Sequence, residues 1–247
     1  MSNEIISGKS ESQKFPHRHM NGGWVIDLGT MEYQAAWDVQ KDVAVKVRQQ
    51  LIPDVLLFVE HLPVYTLGRG ARGSWQNLIW DQDRREREGI SFVEVDRGGD
   101  ITYHGPGQIV GYPIFDLNRY RRDLHQYLRN LEEALIYALQ EFGITAERMP
   151  PNTGVWVGRE KVAAIGVKAS RWITQHGFAL NVAPNLDHFQ GIVPCGIQDK
   201  GVTSMEKLLD RRVTLDEVKP AVIRAMTQVF AIDFAPHALS SLSDGIS

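Results

Sequence analysis

The feature that most limits the folds open to this chain is a group of short apolar runs set close together. Gly154–Val157 and Val162–Val167 flank a tight polar turn, GREK, and a third run, Gly177–Val182, follows. Short runs bounded by such turns read as strands, the first two forming a hairpin. Trp24–Leu28 (WVIDL) reads as another strand. Val55–Glu60 (VLLFVE) is almost continuously apolar, as expected of a strand buried on both faces. Helices are interspersed irregularly. Met31–Leu51 carries Ala35, Val39, Val43, Val47 and Leu51 at intervals of four, with Pro53 just beyond. Asp81–Glu88 is a mixed-charge run that suits a solvated helix face. Leu124–Phe142 places Leu124, Leu128, Leu131, Leu135, Ala138, Leu139 and Phe142 at the helical period, and Gly143 sits where a C′ glycine belongs. Thr203-x-x-Glu206 and Thr214-x-x-Glu217 match capping boxes that open helices over about 204–210 and 215–230. Strands and helices without regular alternation favour an α+β fold, with a mixed or antiparallel sheet flanked by helices, over a doubly wound one. With no internal repeat and no linker, one domain is expected over residues 23–234. It would lie between a polar, disordered tail (1–22) and a frayed, Ser-rich tail (235–247).

Composition narrows the function classes. A chain of 247 residues with 43% hydrophobic and 23% charged residues can bury a core without staples. A net charge of −3 gives no nucleic-acid signature. One cysteine forbids an intrachain disulfide and suits a reducing compartment. The polar start has no signal-peptide core and no run is long enough to span a bilayer, so a cytoplasmic protein is expected. His17 and His19 in that polar start read as solvated side chains, since no other metal ligand lies near in sequence.

The stretch Arg97–Gln108, RGGDITYHGPGQ, stands out for chemistry. It holds four glycines and a proline among Arg97, Asp100, Tyr103 and His104, between the strand-like runs Ser91–Asp96 and Gln108–Ile114. It reads either as the wall of a binding site on a glycine-loop hairpin or as a decorated turn. GRGARG at 68–73 formally matches a dinucleotide fingerprint, but the helix that must follow is missing. Cys195, between Pro194 and Gly196, is a buried small hydrophobe on one reading and a nucleophile on the other. Lys161 at a strand start, His176, and the arginines Arg119, Arg121 and Arg122 each have an ordinary structural or solvated reading beside a functional one.

RGGDITYHGPGQIVGYPIFDL at 97–117 resembles the signature of the lipoyl(octanoyl) transferases. HLPVYTLGRG at 61–70, GREKVAAIGVKASRWITQHGFALNV at 158–182 and PCGIQDKGVTSM at 194–205 agree with it in the same order. The resemblance covers about Trp24 to Phe230. It implies an architecture related to the biotin and lipoate protein ligases, and transfer of octanoyl from octanoyl-acyl carrier protein to a lysine of lipoyl domains, the first step of endogenous protein lipoylation. The acceptors implied are lipoyl domains of 2-oxoacid dehydrogenase subunits and the glycine cleavage H protein. By the same resemblance Cys195 forms the acyl-thioester. Lys161, in the pattern G-x-x-K-x-x-x-x-G from Gly158 to Gly166, pairs with it, and Lys168 has no catalytic role. The implied substrate-binding residues are Arg97, Gly98, Gly99, Asp100, Ile101, Thr102, Tyr103 and His104, then Ala164, Ile165 and Gly166, then Gly177, Phe178 and Ala179, with Arg69 and His176 at the pocket. No metal, nucleotide or redox cofactor is implied. Gln175 departs from the pattern, which has an aromatic or apolar residue before the His-Gly pair. An acidic carrier protein would dock on basic residues, for which Arg119, Arg121 and Arg122 are candidates. The competing readings are an ATP-dependent lipoate or biotin ligase, a non-catalytic module that binds carrier and lipoyl domains, and a Cys195–histidine hydrolase.

Overall fold

In a computed structural model of the chain, residues 22–71, 74–193 and 201–242 are described. The chain begins with β1 (Gly22–Met31), α1 (Tyr33–Arg48), β2 (Val55–His61) and β3 (Val64–Leu67). A short helix α2 (Gln82–Arg87) leads to β4 (Ser91–Glu94), β5 (Ile101–His104) and β6 (Gln108–Ile114). Helix α3 (Leu124–Gln140) precedes the strands β7 (Glu147–Met149), β8 (Asn152–Val157), β9 (Glu160–Ser170) and β10 (Ile173–Asn181). The described chain closes with β11 (Gly201–Val202), α4 (Met205–Leu209), α5 (Leu215–Phe230) and β12 (Asp233–Pro236).

The hairpin expected at GREK forms: β8 and β9 pair antiparallel, with Trp156 opposite Lys161. From there the large sheet runs β12-β1-β2-β6-β10-β9-β8-β7, with β11 alongside β9. Pairings from β2 through β6, β10, β9 and β8 are antiparallel, whereas β1 lies parallel to both β2 and β12. This is the mixed sheet of an α+β domain. The run VLLFVE is buried on both faces: Leu56 and Phe58 join the core under α3 and α5, while Val55, Leu57 and Val59 join the core under α1. Each such side chain contributes about 1.5–3 kcal/mol by leaving water. Helix α3 ends as expected. Gly143 takes φ 76°, its N–H donates to the Gln140 carbonyl, and the Ile144 N–H donates to the Leu139 carbonyl, the two bonds of a Schellman cap.

Four expectations are corrected. The runs flanking the glycine-rich stretch do not form a hairpin. β4 belongs to a separate small sheet ordered β4-β3-β5, and β6 belongs to the large one. The middle of the stretch, Ile101–His104, is itself a strand paired antiparallel with β3; with all four residues buried, it has no polar face to announce it. In α1, Ala35 and Leu51 are exposed, and the buried line is instead Ala36, Gln40, Val43, Ala44 and Val47. Strict four-residue spacing drifts about 40° per step from a 3.6-residue turn, so it leaves the core face at both ends. The first capping box is displaced by one residue. Ser204 accepts from the Lys207 N–H, while Thr203 is buried and its N–H donates to the Lys161 carbonyl. Finally, residues 235–242 are not frayed. Ala235 and Pro236 pair with Trp24 and Val25, and Leu242 is buried against the α1 side of the sheet. The second capping box, at Thr214, forms as expected. Among the described residues no helix is long and apolar enough to cross a membrane.

Candidate active site

The glycine-rich stretch leaves β4, crosses above β9 and enters β5. Its backbone is held on two sides. The Gly98 N–H donates to the Val167 carbonyl on β9. On the other side, N–H groups of Gly68, Arg69 and Gly70 donate to the carbonyls of Asp100, Arg97 and Gly99. A Cβ at Gly68 would come 2.4 Å from the Gly99 carbonyl oxygen, and one at Gly70 would come 2.9 Å from it. The glycines of GRG are therefore needed for close contact between two chain segments, which explains their spacing without any nucleotide. Arg69 acts through its backbone; its side chain is exposed and does not line the cavity below the stretch.

That cavity lies between the stretch and the β9–β10 face and encloses about 500 Å³ of empty space, its open mouth included. The structure brings most of the sequence candidates together around it. Arg97, Gly99, Asp100, Ile101, Thr102 and His104 line it from above. Ala164, Ile165 and Gly166 line it from β9, and Gly177, Phe178 and Ala179 from β10, with Lys161 and His176 also on the wall. Ala164 stands opposite Ala179, and Gly166 opposite Gly177, so small residues from two strands meet in register. Two candidates are placed otherwise. Gly98 faces Val167 rather than this cavity. Tyr103 alternates away from Thr102 and His104 into the core of the small sheet, with its Oη 2.7 Å from His188 Nδ1. Gln175 is buried on β10 opposite Lys168 and lies outside the lining. Tyr33, Val110 and Tyr112 also line the cavity. Sequence reasoning missed them; Tyr112, a phenol interrupting the apolar run QIVGYPI, was the one visible signal.

Lys161 is 7% exposed. Its Nζ stands 4.7 Å from the centroid of the Trp156 ring. Its stem passes over Gly154, where an added Cβ would lie 3.3 Å from the lysine Cε. Gly154 is in turn fixed by its N–H donating to the buried Glu132 carboxylate, 3.0 Å away. Val202, on the strand that follows the segment containing Cys195, is the parallel partner of Lys161. Cys195 itself lies outside the described residues, as do His17 and His19.

The polar wall is built from groups that bond to one another. Arg97, buried, donates from Nη2 to the Thr66 carbonyl (2.7 Å) and to Thr66 Oγ1 (2.8 Å), which makes it a brace for the stretch. Asp96 accepts from His176 Nε2 (2.8 Å) and Lys168 Nζ (2.5 Å). These bonds, the histidine's first, hold its carboxyl well below the usual carboxylate range. The resemblance gave Lys168 no catalytic role; it lies outside the lining and pairs with Asp96. His176 sits at φ 57°, an uncommon conformation for a residue other than glycine, and its N–H donates to Gln40 of α1. Burial lowers the pKa of His176 despite Asp96, pushes His104 far down, and brings His61 to about 4. The imidazoles around the cavity are thus neutral at pH 7, and the wall suits an apolar chain. Among the described residues no group of three or more His, Cys, Asp or Glu side chains is placed to hold a metal ion. Arg119 is largely buried between Asp54 (3.3 Å) and Asp116 (3.6 Å), which removes it as a docking residue; Arg121 and Arg122 are exposed.

Comparison with known proteins adds the family. The lipoyl protein ligase A/B catalytic domain matches residues 32–227. The octanoyltransferase of Solibacter usitatus is 49% identical over 211 residues, spanning 85% of this chain and 94% of its own length. The chain belongs to the octanoyltransferase family. The octanoyltransferase of Flavobacterium psychrophilum is 46% identical over 221 residues, spanning 83% of this chain and 94% of its own. Among solved structures, lipoate-protein ligase A bound with ATP superposes with a TM-score of 0.73 at 18% identity, covering 90% of this chain and 91% of its own. A putative lipoate protein ligase of T. acidophilum superposes with a TM-score of 0.70 at 20% identity, over 90% of this chain and 91% of its own. At these identities the superpositions establish that octanoyltransferases and lipoate ligases share a fold, while activity rests on the closer relatives.

Proposed function

We propose that this octanoyltransferase takes octanoyl from the thioester of an acyl carrier protein onto Cys195, then passes it to the lysine amine of a lipoyl domain, as the first step of protein lipoylation. The observation that carries the reading is a buried lysine, Lys161, on the wall of a cavity floored by Ala164, Gly166, Gly177 and Ala179 in a chain of this family. Ala164 and Ala179 leave room for an unbranched acyl chain, the neutral imidazoles place no charge against it, and the two glycines let the glycine-rich stretch and β6 pack close, Gly166 against Gly98 and Arg97 and Gly177 against Gly111 and Pro113. In the first step the Cys195 thiolate attacks the thioester carbonyl and the carrier's thiol leaves. One C–S bond replaces another, so the acyl-enzyme keeps its activation for the amine. The thiolate is the reactive form, and Lys161 is the group assigned to stabilise it. In the second step the acceptor's ammonium gives up one proton, its amine attacks the acyl-enzyme carbonyl, the nitrogen of the tetrahedral adduct gives up a second, and the C–S bond breaks with Cys195 leaving as thiolate. The position of Val202 beside Lys161 supports the pairing, because it ties the end of the Cys195 segment to the strand that bears the lysine. Lipoyl domains of 2-oxoacid dehydrogenases and the glycine cleavage H protein are the acceptors proposed, in the cytoplasm, with no metal or nucleotide required.

Intact-protein mass spectrometry after mixing with octanoyl-acyl carrier protein, without ATP, tests this directly. One octanoyl adduct that maps to Cys195 and disappears on adding apo lipoyl domain is expected. Cys195→Ala should give none, and Lys161→Met should slow adduct formation by at least a hundredfold. Absence of an adduct together with ATP-dependent transfer would instead identify a ligase, and release of free octanoate a hydrolase.

A further inference from the structure

The cavity is not uniform along its length. Lys161 stands at one end. Along β9 and β10 from it come the Ala164–Ala179 pair, then Ile165 opposite Phe178, then Gly166–Gly177, then Val167 opposite His176. At the His176 end the small residues stop and two phenols, Tyr33 and Tyr112, face the space. Both are almost fully buried, at 4% and 3% exposure. Neither belongs to the set of substrate residues that the sequence motifs supplied.

Each phenol is tied by buried hydrogen bonds. The Met31 carbonyl can only accept, so the 3.0 Å contact with His61 Nδ1 fixes the proton on that nitrogen. His61 Nε2 is therefore an acceptor, and the Tyr112 hydroxyl, 2.6 Å away, donates to it. Likewise the Asp96 carboxylate can only accept, so His176 carries its proton on Nε2. Its Nδ1 is then an acceptor, 3.3 Å from the Tyr33 hydroxyl, and the two phenols also hydrogen-bond to each other. Burial raises the Tyr33 pKa to about 12 and that of Tyr112 well above its ordinary value, so both protons stay in place at neutral pH. Swinging either ring aside would leave a buried donor and a buried acceptor without partners, which proteins avoid. The Tyr33 ring is also stacked on His104, with centroids 5.9 Å apart.

We infer that Tyr33 and Tyr112 form a rigid end wall that sets the longest acyl chain this enzyme accepts, while Ala164 and Ala179 keep the path to that wall open. The inference rests on the acyl-transfer reading and names its specificity determinants. An apolar chain gains about fourfold in affinity for each methylene it buries, up to the point where its end meets a wall that does not yield. Beyond that length the chain must buckle or remain partly in water, so the profile falls sharply instead of levelling off.

The test is a chain-length profile over hexanoyl, octanoyl, decanoyl and dodecanoyl groups. It is read as kcat/KM for transfer from acyl carrier protein to an apo lipoyl domain, and separately as calorimetric binding of the free fatty acids of the same lengths. Tyr33→Leu opens the wall without burying a new polar group and should raise the decanoyl-to-octanoyl ratio about tenfold. Tyr112→Phe keeps the ring but cuts its tie, and should raise the ratio by a smaller factor of about three. Ala164→Leu narrows the path and should move the optimum to hexanoyl or shorter. Unchanged profiles in folded Tyr33→Leu and Ala164→Leu proteins would overturn the inference. Should Tyr33→Leu fail to fold, an unmoved optimum in Ala164→Leu overturns it alone. A wild-type protein that transfers no octanoyl would defeat the functional reading instead, and the calorimetric profiles would still decide about the wall.

Discussion

Replacing Asp96 with asparagine should destabilise the protein in a pH-dependent way whose sign follows from the geometry. The carboxylate is 22% exposed and accepts from His176 at 2.8 Å and from Lys168 at 2.5 Å. Hydrogen bonds that involve a charged group contribute roughly 1.5–3 kcal/mol each. Asparagine retains one acceptor oxygen and no charge, so it loses one of these bonds and weakens the other, a loss of about 2–3 kcal/mol. For a chain of this size each kcal/mol shifts Tm by roughly 2–4 °C, which puts the expected fall at about 5–10 °C. The carboxyl of Asp96 is held below its ordinary value in the folded protein. Its contribution is therefore fully present above the unfolded-state pKa of about 3.9 and is lost as pH falls from there toward the depressed folded value. Urea unfolding midpoints of wild type and Asp96→Asn at pH 7, 5 and 3 measure this. The gap should be full at pH 7 and 5 and narrower at pH 3. A gap under about 0.5 kcal/mol at pH 7, within the ordinary range for surface substitutions, or one that does not change down to pH 3, would refute the reasoning.

Glu132 is fully buried, accepts the Gly154 N–H and is ion-paired with Arg129 (2.7 Å) and Arg148 (3.2 Å). Because both arginines are about a third exposed, Glu132→Gln should cost only about 2 kcal/mol by chemical denaturation, less than the loss of a wholly buried pair. Gly143→Ala should cost about 1–2 kcal/mol, the penalty of a left-handed conformation for a residue with Cβ, since the position has φ 76° and nothing within 4 Å to clash; a change of no more than a few tenths would count against strain at that cap.

The grouping of the candidate residues around one cavity was legible because the segments that build it are short and continuous. AIG on β9 and GFA on β10 face each other by strand register, so residues adjacent in sequence remain adjacent in the cavity. The failures have local causes. Tyr103 sits in ITYH, which reads as a glycine loop. As a strand it alternates: Thr102 and His104 turn to the cavity, while Tyr103 packs in the core of the small sheet with Ile101, which also reaches the cavity wall. Arg69 looked like a pocket cation, but it is the backbone of GRG that braces the glycine-rich stretch. Arg119 looked like a docking charge until Asp54 and Asp116, distant and near in sequence, were found around it. Tyr33 begins a helix in a stretch without any motif, and only the tertiary fold carries it to the cavity. The sheet order was likewise hidden: β1 and β12, which pair in parallel at one edge, lie at opposite ends of the described chain.

The way Tyr33 and Tyr112 are tied bears on chemistry as well as on the proposed length limit. A phenol has a single hydrogen, and both of these are committed within the buried hydrogen bonds that join the two phenols, His176 and His61. His104 is similar. Its Nδ1 lies 3.3 Å from Gln108 Oε1, and the Gln108 Nε2 donates to the Tyr103 carbonyl and to Asn181, which fixes that oxygen as the acceptor. The two phenols and His104 therefore keep no hydrogen spare for a ligand, and the cation of Arg97 is the charged group nearest them on the wall. A terminal methyl meets them with little penalty, but a chain ending in a ketone would set its oxygen against theirs after giving up its water. The same hydrogen-bond polarity that holds the wall in place thus also sorts acyl groups by what they carry at the tip.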